Sequence, residues 1–82
     1  MQTIPPLGAL QAFEAIARRR SFAQAASDLE LTASAVSHQI AKLEKMVGIR
    51  LIDRTPAGVK LSTAGEQYLQ RVSSAVAALA SA

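Results

Sequence analysis

With 82 residues the chain has room for one small domain, and a chain this short buries only a modest share of its surface, so a large catalytic cleft is not expected. Half the residues are apolar, few of them aromatic, and none is cysteine. That excludes disulfide frameworks, thiolate nucleophiles and cysteine metal sites, and it suits a reducing compartment. Nine Lys and Arg against six Asp and Glu leave a formal charge of +3, a balance that fits a polyanionic partner.

Alanine and leucine dominate the apolar set, which favours helices over sheets. The opening "MQTIPPLGAL" has no basic segment followed by an apolar one, and no apolar run is long enough to span a bilayer. A soluble, cytoplasmic protein with no membrane partner is expected. Pro5 and Pro6 mark a helix start, and Leu7, Leu10, Phe13, Ile16 and Ala17 then recur at helical spacing to about Arg20. Ser21 and Gln24 have the spacing of a capping box and open a second helix whose inner face is Phe22, Ala25, Ala26 and Leu29. Thr32 is the next N-cap. From it Val36, Ile40, Leu43 and Val47 trace one stripe, and Gly48 offers a left-handed stop. The two short helices must turn sharply, as in a helix-turn-helix.

Leu51, Ile52, Val59 and Leu61 flank Thr55-Pro56-Ala57-Gly58, with proline second and glycine fourth in the turn, so a short two-stranded β-hairpin wing is expected. Thr63 and Glu66 repeat the capping-box spacing. Tyr68, Val72, Ala75, Leu79 and Ala82, with Val76 beside them, then form a coiled-coil-like seam. Part of that seam has no partner in so small a domain and the helix ends without a C-cap, so dimerisation through it and a longer parent chain are both expected. The fold class is mostly α: a winged helix-turn-helix over residues 1–62 and a linker and dimerisation helix over 63–82.

At about 100° per residue, Ser34, His38, Ala41 and Lys45 lie opposite the third helix's apolar stripe, flanked by Ser37 and Lys42. A surface helix would usually carry more charge there. Small side chains let a helix approach closely, Ser, His and Lys can bond phosphates or base edges, and the major groove admits a helix. A merely solvated face is the alternative for such a helix alone. A capped preceding helix, a tight turn and a wing bearing Arg50, Arg54 and Lys60 make double-stranded DNA the expected partner.

Ala25-Ala26, Leu29, Thr32, Ala35-Val36-Ser37, Ile40, Leu43-Glu44, Gly48, Leu51 and Arg54, followed by "LSTAG", resemble the N-terminal domain of the LysR-type transcriptional regulators across nearly the whole chain. "PPLGALQAFEAIARRRSF" and "AVSHQI" are most similar to the subgroup of glycine-cleavage and β-lactamase regulators. The resemblance implies a dimer on an interrupted palindrome, and an effector-binding domain outside this chain that would take any small-molecule effector. It also implies DNA contacts from Thr32, Ala33, Ser34, Ser37 and His38, and an Arg54 that reaches into the adjacent minor groove. This chain departs from the family at Ala33, where many relatives carry Gln, and at Ile52, where Phe is usual.

Lys42 is a further candidate for phosphate, although Glu44 beside it and Lys45 could instead pair with them. Ser21 caps its helix whether or not it also touches phosphate. Arg18, Arg19 and Arg20 sit where positive charge favours the helix dipole, the commoner role for such a run. His38 has no companions for a metal site. No glycine-rich phosphate loop, metal-ligand spacing or base for a nucleophilic serine is present, so neither catalytic residues nor a cofactor are expected. A protein-binding module using its apolar helix is the competing reading, and it predicts no salt-dependent affinity for DNA. A membrane-surface helix would need a Lys/Arg-rich polar face that residues 72–82 lack.

Overall fold

Pro6 has the φ of −57° that its ring imposes, and its carbonyl accepts from Ala9 and Leu10 N–H at 3.0 and 3.2 Å, so α1 (Leu7–Arg19) begins directly after it. The structure is a computed structural model that describes residues 4–81; Ala82 of the seam and residues 1–3 at the head of the chain lie outside the described residues. In order follow α2 (Phe22–Leu29), α3 (Ala33–Val47), β1 (Ile52–Thr55), β2 (Gly58–Leu61) and α4 (Thr63–Ser81). Among the described residues no helix is long and apolar enough to cross a membrane.

The local signals for the helix-turn-helix act as expected. Ser21 Oγ accepts from Gln24 N–H at 3.1 Å, the hydroxyl half of the capping box, and Thr32 Oγ1 accepts from Ala35 N–H at 3.0 Å. Gly48 closes α3 at φ 83°, and its N–H donates to Glu44 O at 2.8 Å. Arg20 and Glu30 end α1 and α2 in the same left-handed region, at φ 55° and 57°.

α1 packs against α2, α3 and α4. Phe13 and Ile16 are wholly buried in it, and so are Ala9, Ala12 and Ala15. Their small side chains let the neighbouring helices approach from several sides. Leu7, expected on the inner face, is instead 47% exposed, because it lies about 120° around the wheel from Phe13. Ala17, Ala25, Ala26, Val36, Ile40, Leu43, Leu51, Ile52, Leu61 and Val72 complete the core.

In the wing, Ile52 pairs with Leu61, Asp53 with Lys60, Arg54 with Val59, and Thr55 with Gly58. Pro56 and Ala57 form the tip, Gly58 takes φ 131°, and Thr55 Oγ1 donates to Gly58 O at 3.0 Å. Ile52, at the family's usual Phe position, is buried.

The start of α4 corrects one expectation. Ser62, not Thr63, is the cap: its Oγ accepts from Gly65 N–H at 3.0 Å and donates to Arg50 O at 2.7 Å. Thr63 is the first helical residue, and Glu66 reaches Arg20 instead of closing a capping box. Ser62 N–H also donates to Leu51 O at 3.0 Å, which draws α4 so close to the wing that Gly65 lies against the Leu51 carbonyl.

Candidate nucleic-acid interface

The outer face of α3 is built as its sequence suggests. Thr32, Ala33, Ser34, His38, Ala41, Lys42 and Lys45 are exposed, and Ser37 is half-buried where α3 meets the wing. Phe22, Ala33, Ser34, Ser37, His38, Ala41 and Arg54 line one open depression of about 480 Å3. Further along the same face a second hollow of about 310 Å3 is lined by His38, Ala41, Lys42 and Lys45. Ser21, engaged as the α2 cap, adjoins Phe22 at one end.

Arg54 does not project from the hairpin tip. It sits on β1 one pair below the closing Thr55–Gly58 pair and two residues from buried Ile52, so strand alternation turns it toward the helices. Its guanidinium lies 3.9 Å from the centroid of the Phe22 ring, and Nη2 donates to Ser37 Oγ at 2.6 Å. In this structure it therefore lies beside α3.

Glu44 also takes an unexpected role. Its Oε2 accepts from Leu51 N–H at 2.7 Å and Ile52 N–H at 3.0 Å, so it ties the wing to α3 and does not pair with Lys42 or Lys45.

These placements sort the charges. Arg18 meets Glu14 and Asp28, both at 3.5 Å, Arg19 meets Asp28 at 3.0 Å, and Arg20 meets Glu66 at 3.4 Å. Arg50 lies 3.8 Å from Asp53. Among the described residues Lys42, Lys45, Arg54, Lys60 and Arg71 have no carboxylate partner. Three of these, Lys42, Lys45 and Arg54, line the two α3 hollows. The uncompensated charge is thus concentrated on the small, polar helix face. Among the described residues no group of three His, Cys, Asp or Glu could hold a metal ion.

Along α4 the expected seam divides. Tyr68 packs its ring 5.7 Å from Phe13, Val72 is buried, and Val76 packs in part against the same core. Burial raises the Tyr68 phenol above its usual range, and the Arg71 cation opposes that shift. Ala75 and Leu79 remain exposed, Leu79 to 61%.

The model for bacterial regulatory helix-turn-helix proteins of the LysR family matches residues 7–66, from the first residue of α1 into α4. The chain belongs to the LysR family. It is 50% identical over 64 residues to the HTH-type transcriptional activator AmpR of Pseudomonas aeruginosa, covering 78% of this chain and 22% of that protein. To the glycine cleavage system transcriptional activator of Escherichia coli it is 45% identical over 65 residues, covering 79% and 21%. It thus spans about a fifth of the length of these two LysR relatives. Superposed on the BenM DBD in its complex with catB site 1 DNA it gives a TM-score of 0.88 at 29% identity, covering 93% of this chain and 85% of that one.

Phe22 and Glu44 were not legible as site residues. Phe22 reads as an inner-face residue, and nothing local in the sequence links it to Arg54, far along the chain. The Leu43-Glu44 pair in the LysR-like pattern was the one available signal for Glu44.

Proposed function

We propose that this chain is the DNA-reading domain of a LysR-type transcriptional regulator. It acts in the cytoplasm by binding double-stranded DNA, not by catalysis. α3 enters the major groove with Thr32, Ala33, Ser34, Ser37 and His38 against base edges and phosphates. Lys42 adds a phosphate contact further along, and Arg54 meets the DNA beside Ser37. Ser21, at the start of α2, lies near the flanking backbone. Two copies pair through the 63–82 helix, with Ala75 and Leu79 as its exposed contacts and Val76 at their edge. Tyr68 and Val72 support that helix from the core side. The pairing sets two recognition helices on an interrupted palindrome, and any effector is recognised by a further domain of the parent protein.

The observation that carries this reading is the charge segregation: the arginines at the end of α1 face carboxylates, while Lys42, Lys45 and Arg54 line the α3 hollows without one. The small residues of the same face remove steric obstacles to close approach, and the BenM complex shows the same fold in a structure with DNA.

Fluorescence anisotropy of the chain on a pool of random duplexes at several salt concentrations tests it, followed by sequencing of the bound fraction. The expected result is a slope of log affinity on log salt of roughly −0.9 per phosphate contact, with enrichment of an inverted repeat. Absence of salt-dependent binding at low ionic strength refutes DNA reading, and enrichment of single half-sites refutes the dimer.

A further inference from the structure

Phe22 presents its ring face to the Arg54 guanidinium at 3.9 Å on one side of the depression under α3, and the same guanidinium donates to Ser37 Oγ at 2.6 Å. Each link constrains the next. A guanidinium is planar and stacks on an aromatic face, which limits the freedom of a long exposed side chain. Arginine is only a donor, so it occupies one of the two acceptor positions of the Ser37 oxygen, and its cation disfavours a second donor at the other. The Ser37 hydroxyl hydrogen then points elsewhere, and among the described residues it finds no acceptor.

We propose that Phe22 is a positioning residue for sequence reading: by holding Arg54 against Ser37 it biases the serine toward donating to hydrogen-bond acceptors on base edges. The inference rests on the DNA-reading function above. In the major groove the acceptors are guanine N7 and O6, adenine N7 and thymine O4, whereas cytosine N4 and adenine N6 are donors. The Arg54 cation beside Ser37 also repels amino hydrogens. The site therefore favours guanine or thymine over cytosine at the base pair that Ser37 meets. Without the ring, Arg54 swings into solvent and Ser37 turns freely, able to donate or accept, so that preference flattens.

The test compares the unaltered 82-residue chain with Phe22→Leu, Phe22→Tyr, Arg54→Ala, Arg54→Lys and the Phe22→Leu/Arg54→Ala pair. Each is put through the same selection from random duplexes, with melting temperature recorded alongside. Phe22→Leu is expected to lower discrimination at one base pair per half-site by roughly 2–5-fold, the value of an exposed cation–π contact. Phe22→Tyr, which keeps the ring face, restores it. In the Arg54→Ala background Phe22→Leu has no further effect on that preference. Arg54→Lys changes an exposed side chain and leaves the fold intact, so it reports even where Phe22→Leu fails to fold; it is expected to lose the same base pair.

Equal weakening on every duplex would make the cluster a phosphate grip and overturn the inference. So would an unchanged preference in Phe22→Leu or Arg54→Lys, or a Phe22→Leu effect that persists without Arg54. Each of those outcomes leaves DNA binding by the unaltered chain in place. Absence of salt-dependent binding by the unaltered chain removes the DNA-reading function itself, and this inference with it.

Discussion

Gly65 and Gly8 invite the same substitution with opposite results. Replacing glycine by alanine inside a helix is favourable by up to about 1 kcal/mol, through backbone entropy and propensity. At Gly8 an added Cβ meets nothing nearer than Gln39 Nε2 at 3.5 Å, an ordinary contact, so part of that gain is expected. At Gly65 the added Cβ overlaps the Leu51 carbonyl oxygen and comes within 3.1 Å of its carbon. The obstacle is backbone and cannot rotate aside. Separating α4 from the wing enough to fit it strains the Ser62 N–H to Leu51 O bond and the Ser62 cap on Gly65. Overpacking costs roughly 1–3 kcal/mol and a lost hydrogen bond about 1 kcal/mol, against a propensity gain no larger than about 1 kcal/mol, so the net loss is roughly 1–3 kcal/mol. In a domain of this size each kcal/mol moves the melting temperature by roughly 4–8 °C. Thermal unfolding followed by circular dichroism should show Gly65→Ala clearly below the unaltered chain and Gly8→Ala at or above it. A Gly65→Ala variant that melts no lower would refute the close approach of α4 to Leu51.

Glu44→Ala leaves the Leu51 and Ile52 N–H groups without their carboxylate and is expected to cost about 2–4 kcal/mol, while Glu44→Gln, which keeps one acceptor oxygen, costs about half as much; urea denaturation midpoints measure both. Ser37→Ala is expected to weaken binding to the selected duplex by about 0.5–1.5 kcal/mol and to change non-specific binding little, which anisotropy on matched and random duplexes resolves. Tyr68 is the only tyrosine, so ultraviolet absorbance follows its titration alone. Its folded pKa is raised above 10.0, so the folded state holds the proton longer than the unfolded one. The associated stability is complete below 10.0 and is lost as pH rises through the folded value. Arg71→Ala, by removing the opposing cation, should raise that midpoint further.

The elements that the sequence made legible are those with local causes. Ser21, Thr32 and Gly48 act within one helical turn of themselves, and the Pro56-Ala57 tip is set by the residues of its own turn. The wholly buried Ala9, Ala12 and Ala15 were not legible, because an alanine reads alike on a buried and an exposed face until its neighbours are known. Ser62 and Thr63 are both good caps. The Glu66 spacing favours Thr63, and only the tertiary bond from Ser62 to Arg50 O decides for Ser62. The α3 face followed from helical periodicity, whereas the Phe22–Arg54–Ser37 cluster joins three elements and has no local signature.

Leu51 stands at a mechanical junction. Its N–H is tied through Glu44 to α3, and its carbonyl is tied to Ser62 at the start of α4. α4 is 19 residues long and so extends about 28 Å, and its start lies two hydrogen bonds from α3, through Leu51 and Glu44. Any strain that parts α4 from Leu51 is therefore felt at the Glu44 carboxylate on α3, so the wing, α3 and α4 hold one another in place.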